Sequence, residues 1–133
     1  MTDSQRLDLG KLILRVTVGS LMLFHGVHKL ISGHGHIAAM LRDAGLPEFL
    51  QYGVPFGEVV APILLILGII PRISAALIAF TMFVSIPLFY GAKMFTVGPY
   101  GGLTIELNLF FLLTSIVLVL IGSGKYSISK GNL

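Results

Sequence analysis

Apolar residues gather in four long blocks, at about 10–31, 52–70, 71–90 and 103–122. A helix rises about 1.5 Å per residue and needs about 20 residues to cross the hydrocarbon core of a bilayer. Each block is near that length. The second is the shortest, and its start is set only to between Pro47 and Pro55. The pattern predicts an all-α fold: an integral membrane four-helix up-down bundle, forming one domain over residues 1–133. The junction Ile70-Pro71-Arg72 is so short that the second and third helices must be antiparallel neighbours. The longest connection spans 32–51. Within it Ile37, Met40, Leu41 and Ala44 recur at helical spacing before Gly45-Leu46-Pro47. Two readings stand there, an amphipathic helix on the outer interface and a loop packed over the bundle.

Composition agrees with the blocks. Hydrophobic residues make up 55% of the chain and charged residues 11%, against about 25% charge in a soluble domain. The net charge is +3, but the basic residues are scattered at block ends. Without a basic stripe, a phosphate loop or an aromatic platform, nucleic acid is excluded as a partner. Cysteine is absent, so disulfides, thiolate metal sites and Cys-x-x-Cys chemistry are excluded. A redox role would need a bound small molecule or a partner subunit.

Orientation follows from charge. Arg6, Lys11, Arg15, Arg72, Lys125 and Lys130 fall on one side of the four blocks, and Lys29, Arg42 and Lys93 on the other. The positive-inside rule then puts both termini in the cytoplasm. Tyr52, Tyr90 and Tyr100 would stand in the outer interfacial belt and Tyr126 in the inner one. The first block reads as a retained anchor, because Arg15 interrupts it and His28-Lys29 replaces a small-residue cleavage site.

Ionisable groups inside the blocks carry the candidate chemistry, since each costs about 2.5–3.5 kcal/mol at a helix centre. Counting from the inner helix ends, His25 lies about 22 Å up, Lys29 about 28 Å, Glu58 about 18 Å, Glu106 about 24 Å and Tyr90 about 27–29 Å. Four helices thus place polar groups in one layer of the outer half. His25 and Lys29, four apart, share a face. Glu58 shares one with Ala61, Pro62 and Leu65, and Glu106 lies over Leu109, Phe110 and Leu113. If these faces turn inward, two carboxylates meet an ammonium and an imidazole in a dry pocket. The competing reading is interhelical adhesion, with Gly19, Gly26, Ala75, Ala79 and Ser85 giving close crossings. For Glu58 and Glu106 the cost of burial favours a functional pocket over adhesion; for His25 and Lys29 both readings stand, because the Lys29 ammonium can snorkel outward.

Other residues read more plainly. Arg15 is expected to be a snorkelling inner anchor. Asn108 stands about 200° around the helix from Glu106, which predicts an interhelical hydrogen bond outside the pocket. His28 is expected at the interface. His34 and His36 lie in a Gly-His-Gly-His segment, but two loop histidines without a third ligand favour an ordinary loop over a metal site. Pro62 and Pro87 are expected to kink their helices and free backbone groups. A faint duplication pairs Phe24-His25-Gly26 and Lys29 with Phe89-Tyr90-Gly91 and Lys93. Two stacked hairpins related by an axis along the membrane normal would produce it, as would chance.

Leu14-Arg15, Phe24-His25-Gly26 and Lys29 resemble the opening helix of the DoxX family of small four-helix membrane proteins. Gly45-Leu46-Pro47, Gly57-Glu58, Leu67-Gly68-Ile69 with Arg72, Glu106 and Gly124-Lys125-Tyr126-Ser127 continue the resemblance in order. It implies a four-helix bundle in a bacterial or archaeal plasma membrane. It further implies association with quinone-reducing or quinol-oxidising complexes, as oxidoreductase partner or maturation factor. No catalytic activity follows from this chain alone. The expectation is a redox-associated protein whose outer-half pocket, formed by His25, Lys29, Glu58, Tyr90 and Glu106, binds a quinone-like or other lipophilic small molecule. His25 and Lys29 would donate to its oxygens, and Glu58 and Glu106 would accept protons. The alternative is a non-enzymatic accessory subunit or assembly factor that meets partner helices. A proton or ion carrier ranks last, because the inner halves of helices two to four offer no polar path.

Overall fold

A computed structural model describes every residue except His34 and Lys130. The described residues are helical apart from turns and one isolated antiparallel bridge between Val97 and Leu103. Five α-helices follow in order: α1 (Asp3–Ser32), α2 (Gly35–Asp43), α3 (Ala61–Leu67), α4 (Pro71–Tyr90) and α5 (Glu106–Ile121). A 3-10 turn at Glu48–Gly53 and a π-helical turn at Phe56–Val60 lead into α3.

Local chemistry sets the helix ends. Helix α1 begins well before its apolar block because Thr2 and Gln5 form a reciprocal capping box. The helix ending in α3 stops at Leu67 rather than Ile70. Gly68 there takes a left-handed φ of 71° and closes the helix through bonds from the Gly68 and Ile69 amides. Ile70 (φ 40°) makes the remaining turn without glycine, a strained conformation that the packed helices on either side must hold. Pro62 has no N–H to give residue 58, and the turn before it widens to π, with Ala61 N–H donating to the Phe56 carbonyl.

Helix α1 packs against the π turn, α3 and α5, while α4 packs against the π turn, α3 and α5. The core comprises Val18, Met22, Ala61, Leu65, Ala75, Ile78, Met82, Phe111 and Leu118. Gly19 faces Pro62 and Ile66, and Gly26 faces the backbone of Glu58 so closely that a Cβ would collide with it. Helix α2 turns Ile37, Ala38 and Leu41 inward and touches α4, so the segment is a helix and packs onto the rest of the molecule through α4. Large apolar side chains point outward: Phe24, Phe80, Phe83, Phe110 and Leu120 are all exposed. Two helical stretches, Glu48–Leu67 and Pro71–Phe95, are long and apolar enough to cross a membrane. Charged and imidazole side chains interrupt α1, and α5 is shorter.

Arg15 differs from expectation. It is 1% exposed and donates to the carbonyls of Ser123, Tyr126 and, at 3.5 Å, Ile66. A guanidinium offers five donors, enough to tie the C-terminal segment to α3 rather than reach outward. That segment folds back across the helix ends. Ile128 N–H donates to Leu67 O at 3.2 Å, Ser129 N–H to Gly68 O at 3.0 Å and Lys125 N–H to Asp8 Oδ1 at 3.1 Å. The open carbonyls at the end of α3 are satisfied this way.

Candidate functional site

At the end of the molecule away from the C-terminal segment lies a cavity of about 590 Å³. Glu58 enters it from the π turn. Within that turn Glu58 keeps the buried face shared with Ala61, Pro62 and Leu65, at spacings of three, four and seven residues. Its side chain is 2% exposed, and Oε1 accepts from Lys29 Nζ at 2.8 Å. The ammonium also stands 5.1 Å above the centre of the Phe89 ring, a cation–π contact between α1 and α4. Lys29 therefore points inward and does not snorkel. Glu58 Oε2 is buried and has no hydrogen-bond partner.

Around this pair the wall is assembled from four sides. His25, one turn below Lys29 on α1, sets its ring edge-on to Phe111 at 6.0 Å between centres. Tyr90 ends α4 and donates through its hydroxyl to Asn108 Oδ1 at 3.1 Å. The Asn108 amide reaches Met82 Sδ at 3.8 Å. Ser85 on α4 donates to Met82 O at 3.2 Å. The rim comes from the loop before α5, where Thr104 N–H donates to Thr96 O at 3.0 Å and the two threonine hydroxyls lie 2.8 Å apart. This small hairpin brings Gly98, Pro99 and Tyr100 to the cavity.

His25, Lys29, Glu58, Tyr90 and Glu106 all line this cavity. Their environments are unequal, and here the sequence expectation is corrected. Glu58 alone is buried, Lys29 and Tyr90 are half-buried, and His25 and Glu106 are exposed. The chamber is thus open on one side and holds one buried carboxylate. The inward face of α5 runs through Asn108, Phe111, Ser115 and Leu118, at spacings of three and four. Phe110 and Leu113, on the side assigned to Glu106, face outward. Glu106 reaches the rim because it is the first residue of α5, with its carboxylate turned over Gly102. Asn108 lines the cavity as well as bridging α4 and α5, contrary to its expected exclusion. The hairpin rim and Ser85 carried no periodic signal that would have placed them at the site.

The loop histidines fall partly outside the described residues, since His34 is one of the two omitted. His36 sets its ring at 6.3 Å from Phe89. Among the described residues no three His, Asp or Glu side chains cluster as a metal site.

The DoxX family model matches residues 10–91. A Bacillus subtilis (strain 168) protein named "Putative oxidoreductase CatD" is 32% identical over 116 residues, which is 87% of this chain and 81% of the relative. The chain belongs to the DoxX family. The match to the family model covers α1 from Gly10, the Lys29–Glu58 pair and α4 through Tyr90, so the polar pair of the cavity of this DoxX protein lies within the family's common region. Asn108, Glu106 and the hairpin lie beyond the family match but mostly within reach of the relative's longer alignment. No solved structure matches this DoxX protein.

Proposed function

We propose that this DoxX protein is a multi-pass protein of a bacterial or archaeal plasma membrane, a four-helix up-down bundle with both termini cytoplasmic. In this reading Arg6, Lys11, Arg15, Arg72 and Lys125 mark the cytoplasmic side. The C-terminal segment, bonded to Asp8 and Arg15 of α1, shares that side with the N-terminus. The cavity then lies in the outer half of the bilayer and binds a quinone-like or other lipophilic small molecule in support of a membrane redox system. The observation that carries this reading is the cavity itself: residues from α1, the π turn, α4 and the start of α5 line about 590 Å³, a volume suited to a ring-sized ligand. Lys29 keeps two of its three ammonium protons for a ligand oxygen after serving Glu58. His25 and Glu106, on the open side, are placed to exchange protons with water. The relative's oxidoreductase name supports a redox setting.

The test is what stays bound. Mass spectrometry of protein extracted in mild detergent should find a lipophilic ring compound retained in stoichiometric amount. Glu58→Gln should lower both its retention and the quinone-linked activity of the host membrane. Protein that retains nothing, with membrane activity untouched by Glu58→Gln and Glu106→Gln, would refute the ligand reading.

A second reading, an accessory subunit or assembly factor, draws on the Lys29–Glu58 bond as a fastening between helices and on the exposed apolar faces that partner helices could cover. It expects a specific membrane protein to co-purify and Glu58→Gln to reduce folding yield without affecting any bound ligand.

A further inference from the structure

We infer that the ligand of this cavity presents a hydroxyl to Glu58, so the site favours a phenol- or quinol-type ring over its carbonyl or ether counterpart. The inference rests on the reading that the cavity binds a lipophilic ring. Glu58 is 1% exposed, and Lys29 satisfies only Oε1. Oε2 is buried with no donor, on a residue that lines the cavity, and a carboxylate oxygen left in that state is costly. The two hydroxyls nearby are committed elsewhere. The Tyr90 hydroxyl serves Asn108 and the Ser85 hydroxyl serves Met82 O. A hydroxyl entering the cavity can supply the donor that Oε2 lacks. The terminal torsion of a glutamate side chain is soft, so a modest rotation about it turns Oε2 toward the space while Lys29 follows Oε1. An O–H then makes a charge-assisted bond to the carboxylate, of the stronger class. A carbonyl or ether oxygen can accept from Lys29 but has no proton to give, and leaves Oε2 unsatisfied. Phe111 and Phe89 line the same cavity and offer apolar surface to the ring.

The experiment uses the full chain in mild detergent and two redox-inert probes of matched size, 4-hexylphenol and 4-hexylanisole, measured by equilibrium dialysis. The phenol should bind about tenfold or more tightly. Glu58→Gln should bring the two probes close to parity, and Glu58→Asp, which keeps a carboxylate for Lys29, should preserve the direction of the preference. Equal, saturable binding of both probes to the unaltered protein overturns the hydroxyl inference and leaves ring binding standing. Saturable binding of neither probe overturns both. Should Glu58→Gln fail to fold, the ratio in the unaltered protein and the Asp variant still decide.

Discussion

Lys29 Nζ lies 2.8 Å from Glu58 Oε1 and joins α1 to a π-helical turn that exists because Pro62 follows it. The pair is both the polar centre of the cavity and a structural tie. Removing one partner of a buried ion pair strands the other, at a cost of about 3–5 kcal/mol. Lys29, at 21% side-chain exposure, is less buried than Glu58, so Lys29→Met should fall at the lower end, about 3 kcal/mol. Lys29→Met/Glu58→Leu should recover most of that loss. Unfolding in detergent checks the cycle, and a double variant less stable than the single would contradict the pairing.

Gly26 and Gly10 both lie in α1, yet alanine should act oppositely at the two. A Cβ at Gly26 would collide with the Glu58 carbonyl and meet Val59 at 2.8 Å, whereas Gly10 has nothing within 4 Å. Gly26→Ala should push α1 off the π turn and sharply lower the yield of folded protein. Gly10→Ala should stabilise by about 0.5–1 kcal/mol through helix propensity. Thermal melts of both variants test this directly.

Arg15 holds the C-terminal segment by donating to the Ser123 and Tyr126 carbonyls. Hydrogen bonds to a charged group contribute about 1.5–3 kcal/mol each. Arg15→Met should therefore free residues 123–129 while leaving α4 and α5 intact. Hydrogen exchange reads this as faster exchange at the Ile128 and Ser129 amides, which donate to Leu67 and Gly68. Unchanged protection there would show that the segment is held by other contacts.

These features also mark the limits of sequence reading. The apolar blocks were legible because a chain that meets lipid must satisfy its backbone within each helix, which leaves long unbroken runs. Glu58 is legible on the face of Ala61, Pro62 and Leu65 because its spacings of three, four and seven residues hold through the π turn that contains it. Glu106 was assigned by helical periodicity, which fails at a first residue whose side chain folds back over Gly102. Asn108 was excluded by that same count. Arg15 looked like an interfacial anchor because nothing in a linear pattern records that distant carbonyls, those of Ser123 and Tyr126, return to meet it. The hairpin between Thr96 and Thr104 is held by backbone pairing, which leaves little trace in residue type.

Tyr90 and Asn108 offer a test of the cavity wall. Their bond is 3.1 Å long and spans α4 and α5. Tyr90→Phe and Asn108→Ala should each destabilise by about 1 kcal/mol, and the double variant should cost clearly less than the sum. Additive losses would mean that the two side chains do not act together.

The most direct measurement is equilibrium binding of a short-chain benzoquinone and its quinol to the purified protein, with and without Ser85→Phe. Ser85 is 8% exposed and lines the cavity, so phenylalanine there fills the space while circular dichroism verifies that the helices persist. The expected result is saturable one-to-one binding that Ser85→Phe abolishes. Absence of saturable binding, or equal binding by a folded Ser85→Phe protein, would contradict a ligand site between Lys29, Glu58 and Phe111.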